Sequence, residues 1–388
     1  MKRSTERILT THVGSLVRPP DLVQMLRAKE SGQPYDQQGL EAKVRSAVAE
    51  VVHTQVEAGI DVPSDGEYSK PSFSVYVNER LAGFERRPRQ PGESPLLNWG
   101  RDRKQFREFY EAYDRMQGDN VVVPAVCTAP ITYVGQAAVR SDIEHFKAAL
   151  QGMKVEEAFI PAVAPGTIEL QRRNEYYPTV EAYLYAIAEA MREEYRAIVE
   201  AGFLLQIDDP RVVTQYDMLD PTPSLAEYRK FATLRIAALN HALADLPPER
   251  VRYHLCWGSW HGPHTTDVPL KDILDLILTV RAGAYSIEAA NPRHAHEWQV
   301  WETVQLPAGK VLIPGVVAHT TNTVEHPELV AWRLVNFARL VGRENVMAGT
   351  DCGFSQGAFN PRLHASIVWA KLRTLAEGAA LASRQLWS

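Results

Sequence analysis

A (β/α)8 TIM barrel is the fold that this sequence predicts, and three observations predict it. Strand-like apolar runs alternate with amphipathic helical stretches along the chain, the pattern of a parallel sheet covered by helices. No linker rich in Pro, Gly or Ser divides the chain into halves. Polar and metal-binding residue types fall where the runs end, and chemistry in such barrels gathers at the carboxyl ends of strands. The expected architecture is therefore α/β, with one unit over residues 1–388.

The strand-like runs are residues 8–15, 61–67, 121–128, 158–164, 203–208, 251–257, 285–290, 311–318 and 346–351. These are nine candidates for eight positions. Residues 158–164 are expected outside the barrel, within an insertion at about 136–177. A second excursion, at about 70–118, is polar and aromatic, with Trp99, Phe106, Phe109, Tyr110 and Tyr113. It reads as a cap or partner surface and makes a homo-oligomer a reasonable expectation. Among the helices the clearest follows Pro178, where Val180, Leu184, Ile187, Met191, Tyr195 and Ile198 trace one apolar stripe. It ends at Glu200-Ala201-Gly202, and the same ending recurs at Glu57-Ala58-Gly59 and Arg281-Ala282-Gly283, each before a strand.

Bulk properties exclude several classes. With 42 basic against 47 acidic residues and no long run of either sign, there is no basic stripe for nucleic acid. No apolar run is long enough to span a bilayer, and the start lacks a signal-peptide stretch. The three cysteines, Cys127, Cys256 and Cys352, are too few for a disulfide framework, so a reducing, cytoplasmic setting is expected.

The run ends carry the functional expectation. His254 and Cys256 close one run, Glu288 another, and Cys352 a third. One imidazole, two thiolates and a carboxylate make a zinc set, since Zn²⁺ accepts N, S and O donors. The His-x-Cys spacing places both donors on one face of an extended strand. Thiolate-rich zinc that is still catalytic points to activation of a substrate sulfur. A structural zinc site would instead gather its ligands in short loops. Gly14-Ser15, Asp65-Gly66-Glu67, Asp208-Asp209 and His319 also stand at run ends.

Taken together, Thr10-Thr11-His12-Val13-Gly14-Ser15, Asp65-Gly66-Glu67, Gln206-Ile207-Asp208-Asp209-Pro210, His254-x-Cys256, Ile287-Glu288 and Asp351-Cys352-Gly353 resemble the cobalamin-independent methionine synthase family. The resemblance runs from about residue 10 to about 353 and covers that family's catalytic barrel, without its amino-terminal barrel. It implies Zn²⁺ bound by His254, Cys256, Glu288 and Cys352, with His319 as proton donor. It further implies that Ser15, Glu67 and Asp208 hold the amino-acid part of homocysteine. Arg18 is a candidate to pair with a substrate carboxylate or sulfonate. The implied activity is methyl or alkyl transfer onto a thiol, with homocysteine as first acceptor; the donor is left open among a folate, a corrinoid protein, a methylated small molecule and an epoxide. An epoxyalkane–coenzyme M type of transfer is the alternative enzyme, and a non-catalytic zinc- or thiol-binding protein the alternative outside catalysis. Cys127 is expected to be a buried small residue, Asp351 a loop-capping carboxylate, and His12, His261, His264, His294 and His296 polar loop residues.

Overall fold

The computed structural model describes residues 1–88, 100–117 and 123–388. Trp99 and the first two residues of the expected run 121–128 lie outside the described residues.

Two sheets organise the chain. The smaller holds β1 (Leu81–Arg86), β2 (Ala125–Tyr133) and β4 (Arg173–Asn174) in the order β1-β2-β4. The larger is wholly parallel and curled. Its order is β3-β5-β6-β7-β8-β9, from β3 (Phe159–Val163), β5 (Leu204–Asp208), β6 (Val251–Leu255), β7 (Ala284–Glu288), β8 (Val311–Val317) and β9 (Gly349–Thr350). Helices separate most of these strands, so the sheet is buried on both faces. Every residue of β3, β5, β6, β7 and β8 is buried, as parallel strands under helices must be.

One expectation is corrected here. Residues 158–164 were expected outside the sheet, yet β3 pairs with β5 along its whole length, from Phe159–Leu204 to Val163–Asp208. The run at 121–128 is the one that leaves. Its continuation, β2, pairs antiparallel with β1. The burial patterns give the reason: β3 is buried throughout, whereas β2 alternates toward solvent in its second half. An antiparallel strand can face water on one side, but a strand between two helical layers cannot.

The helix Val180–Glu200 buries Leu184, Ile187, Met191, Tyr195 and Ile198 as the stripe predicts, while Val180 is exposed. Thr179 caps its start by accepting from the Ala182 N–H. Gly202, at φ +95°, closes it, and Gly59, at φ +85°, closes the helix Gln37–Glu57 in the same way. Gly283 follows no such helix. A side chain there would lie 2.8 Å from the Glu249 Cα, so close packing is what requires glycine.

The six-stranded sheet is extended at both ends by isolated parallel bridges: Thr10 with Ala348, Thr11 with Val62, and Ser64 with Phe159. A compact apolar layer of Leu9, Val62, Phe159, Leu204, Ala284, Val311, Ile313 and Met347 packs at the amino ends of these segments. At the place of β6 stands Arg252, fully buried, 3.8 Å above the Phe159 ring. It donates to Thr11 Oγ1 and to the His12 carbonyl, each at 2.9 Å.

His12 and His294 were expected as polar loop residues, but both are buried. His12 Nε2 meets Gln55 Oε1 at 2.6 Å while its Nδ1 accepts from the Gly14 N–H at 3.1 Å. Both nitrogens are thus used by the neutral ring, and burial lowers its pKa to about 4. Because the unfolded ring titrates near 6.5, this contribution to stability is complete above pH 6.5. It is lost as pH falls from 6.5 to 4, amounting to about 3 kcal/mol at ~1.36 kcal/mol per unit. Urea midpoints measured across that window should decline more steeply for the native protein than for His12→Asn. Parallel declines would exclude His12 as the acid-sensitive group.

Candidate metal centre

The exits of β6 and β9 bring the sulfurs together. His254 lies within β6, one residue before its end, with its side chain on the same side as Cys256. Cys352 follows β9 by two residues. The ligand atoms of His254, Cys256 and Cys352 lie within 4.8 Å of one another, and all three residues are buried. The two sulfurs are 3.5 Å apart. Their mutual hydrogen bond, the foremost cause, holds Cys352 well below the ordinary thiol range and pushes Cys256 well above it.

The unpartnered atoms show what such a cluster fits. His254 places Nδ1 3.3 Å from Ser286 Oγ, while Nε2 is buried with no hydrogen-bond partner among the described residues. That arrangement suits a metal-binding imidazole, whose far N–H is normally held by a neighbouring acceptor. Glu288 ends β7, fully buried. Its Oε2 accepts from Asn291 Nδ2 at 2.6 Å, and its Oε1 has no partner among the described residues. Burial raises it well above the carboxylate range, with the charges of Asp351 and Cys352 adding to the effect. Glu288 is not among the three residues whose ligand atoms share the 4.8 Å sphere. The tight set is therefore a triad with a free carboxylate oxygen nearby. An N, S, S donor set with an available oxygen matches the ligand preferences of zinc.

Asp351 bridges this arrangement. Its Oδ1 accepts from the Ala289 and Ala290 N–H groups, both at 2.8 Å. It thus caps the turn after Glu288, as a loop-capping carboxylate. Cys127 is buried in β2, with its sulfur 3.5 Å from the Ala129 carbonyl and apart from the triad.

A cavity of about 180 Å³ opens on the triad, and Ser15, Glu67, Asp208 and Gly353 share its wall with His254, Cys256 and Cys352. Gly353 is required by close approach, because a Cβ there would sit 2.0 Å from Ser15 Oγ. Glu67 holds φ +59°, uncommon for a residue with a side chain. Its N–H donates to Asp65 Oδ1 at 3.0 Å. Burial raises its carboxyl to about 7, against the pull of Lys70 and Arg18. Burial also raises Asp208 well above its ordinary value, with the Glu67 charge adding to it. Two desolvated carboxyl groups on one wall disfavour each other's ionised form and favour an incoming cation.

Arg18 does not reach the cavity. Its guanidinium donates to the Ser355 carbonyl at 2.9 Å and the Glu67 carbonyl at 2.7 Å. The fork ties the chain after β9 to the Glu67 turn. His319 follows β8, is buried, and has no partner on either ring nitrogen among the described residues. Burial lowers its pKa to about 4, opposed by the negative charge of Cys352.

Sequence reasoning missed Gln206, whose Nε2 donates to Asp208 Oδ1 at 2.8 Å and also to the Val13 carbonyl. The signal was present, since residues 206 and 208 share one face of a strand. It also missed Phe73, Met218, Trp260 and Gln356 in the cavity wall. Met218 ends the helix Arg211–Met218, and the other three come from loops whose paths no local pattern sets. Trp260 stacks on His264 at 4.2 Å and donates to Tyr110 Oη at 2.9 Å, so the cap helix Arg107–Gln117 holds it.

Residues 171–367 match the model of the cobalamin-independent synthase catalytic domain. The chain belongs to this family. Similarity to individual relatives extends over nearly the whole chain. The methionine synthase of Thermococcus kodakarensis is 22% identical over 388 residues, covering 97% of this chain and 94% of that protein. That of Sulfurisphaera tokodaii is 24% identical, covering 97% and 93%. Among solved structures, a B12-independent methionine synthase from Shewanella sp. W3-18-1, in complex with selenomethionine, superposes with a TM-score of 0.75 at 20% identity. It covers 98% of this chain and 99% of that one, so the fold of the family synthase extends from end to end.

Proposed function

We propose that this family member transfers a methyl or alkyl group onto a thiol at a zinc centre held by His254, Cys256 and Cys352, with Glu288 as the fourth donor. The observation that carries the reading is the sulfur pair with His254 in one wall of a cavity that also holds Glu67 and Asp208. Sulfur chemistry and a cation-binding wall within one small cavity suit an aminothiol, and homocysteine is the acceptor proposed. The paired carboxyls favour it over a sulfonate thiol, which has no ammonium group for them to hold.

A free thiol is only a few per cent ionised at neutral pH. A zinc ion bound here would supply the charge that makes an incoming thiol a thiolate. The protein's own residues do the rest. Glu67 and Asp208 would take the ammonium group, fixing the distance from that group to sulfur. Ser15 would meet the carboxylate end. Holding sulfur in line with the electrophilic carbon is worth up to ~7–11 kcal/mol. In the transfer the S–H proton passes to a ring nitrogen of His319, which burial keeps neutral, the new S–C bond forms, and the donor's bond to that carbon breaks. The leaving group then takes a proton. His319, as the imidazolium formed by that uptake, gives the proton to it and returns to the neutral ring.

The bridges at Thr10, Thr11 and Ser64 support a further reading: they complete a ring of eight positions with the six strands. On that reading residues 1–388 form a single closed (β/α)8 barrel, with β1, β2 and the cap helices as its excursion. The free, adjacent cysteines favour a reducing compartment.

Zinc-loaded protein incubated with homocysteine and, in separate arms, methyltetrahydrofolate, methylcobalamin and a methylated corrinoid protein should give methionine by mass spectrometry. Product from coenzyme M with an epoxide, and none from homocysteine, would replace this acceptor with the sulfonate thiol. Thiol binding without product in any arm would reject the transferase. Glu67→Gln should raise KM for homocysteine by about 10-fold or more, because the amide cannot offer the ammonium group a charge-assisted hydrogen bond. An unchanged KM would remove Glu67 from the binding of the ammonium group.

A further inference from the structure

We infer that His261, His319 and Arg362 form an oxyanion-binding subsite beside the sulfur pair, taking a carboxylate, sulfonate or phosphate group of a substrate. The inference rests on the thiol-alkylation reading and deepens it by naming a charged group that one of the two substrates must carry.

Hydrogen-bond donors carry the argument. Both ring nitrogens of His319, Nε2 of His261 and Nη1 of Arg362 are buried without a partner among the described residues. Buried polar groups are almost always paired, so several unpaired nitrogens in one region call for an absent ligand. The three residues come from separate loops at the carboxyl end of the sheet. Ser259 and Trp260 line the cavity immediately before His261, and Gly353 and Gln356 line it ahead of Arg362. The His261 N–H donates to Tyr113 Oη at 3.3 Å, which seats this loop against the cap.

The electrostatics agree. The charge of Arg362 acts on both His319 and His261, and the charge of Cys352 acts on Arg362 itself. No carboxylate forms an ion pair with Arg362 among the described residues. Both imidazoles are held neutral by burial, and a neutral ring still offers one N–H. A guanidinium with two such rings is a donor set for an oxyanion. Glu67 and Asp208 cannot serve that group, since they carry the opposite charge.

Acetate and methanesulfonate would be titrated into zinc-loaded protein while the histidine ring signals are followed by NMR. Saturable shifts at His261 and His319 are expected. In Arg362→Gln the midpoint should rise by about tenfold or more, and Arg362→Lys should keep part of the affinity. Repeating the titration with homocysteine bound identifies the source. Undiminished anion binding assigns the group to the donor, and competition assigns it to the thiol's own carboxylate; either supports the subsite. Shifts that fail to saturate, or an unchanged midpoint in Arg362→Gln, would mean an adventitious ion only. Loss of zinc in Arg362→Gln with anion binding intact would make Arg362 a counter-charge to the sulfurs and overturn the proposal. The proposed activity is read separately, since thioether product can form whether or not these shifts saturate.

Discussion

Cys352→Ser should lose bound zinc and reduce kcat/KM by more than about 100-fold, the upper range for groups that only support a metal ligand. Cys352 is held well below the ordinary thiol range by its hydrogen bond with Cys256. It is the sulfur of the pair most ready to bind a cation as thiolate. Serine keeps the shape but not the anion, because its hydroxyl does not ionise near neutral pH. The remaining donors, His254 and Cys256 with Glu288, include only one sulfur and would hold the ion weakly. Elemental analysis after gel filtration reads metal content, and steady-state kinetics with homocysteine read the rate. Thermal unfolding of metal-free samples should match the native protein, which separates a lost ligand from a lost fold. Full zinc content with undiminished turnover in Cys352→Ser would remove the sulfur pair from the chemistry.

Arg80→Met should destabilise the fold by about 3–5 kcal/mol, the cost of stripping one partner from a buried ion pair. Arg80 Nη2 donates to Asp142 at 2.6 Å, and Nη1 donates to Glu194 at 3.4 Å. Glu194 also accepts from Tyr76 Oη and Tyr133 Oη, each at 2.7 Å. All three charged groups are buried, so removal of the guanidinium leaves two carboxylates in a low-dielectric site. The network ties β2 and the turn Val75–Glu79 to the helices Gln136–Ala149 and Val180–Glu200. Denaturant midpoints measure the loss, and adding Glu194→Gln and Asp142→Asn should restore part of it. A change below about 1 kcal/mol would place the pair in the range of surface ion pairs.

The metal centre was legible because it is written in local pattern. His254 and Cys256 share a strand face by period-two geometry, and each sulfur stands at the end of an apolar run. The same logic placed Asp208 on the cavity wall. Arg18 shows where local pattern stops. Its charge suggested a role in binding substrate, but the fold turns its guanidinium toward two backbone carbonyls and the Glu67 carboxylate, 4.0 Å away.

What the sequence determined by itself was the alternation of strand and helix, the sulfur-rich donor set and the residues at the strand ends. Each is a matter of spacing along the chain and of side-chain chemistry. The tertiary structure decided which runs share the large sheet, for β3 and β2 are both apolar strands of similar strength. Only packing between helices, available to one of them, tells them apart. It also decided that Trp260 roofs the cavity and that Glu288 stands just beyond the tight triad. Those outcomes depend on loop paths and on distances between residues far apart in the chain, which no local preference encodes.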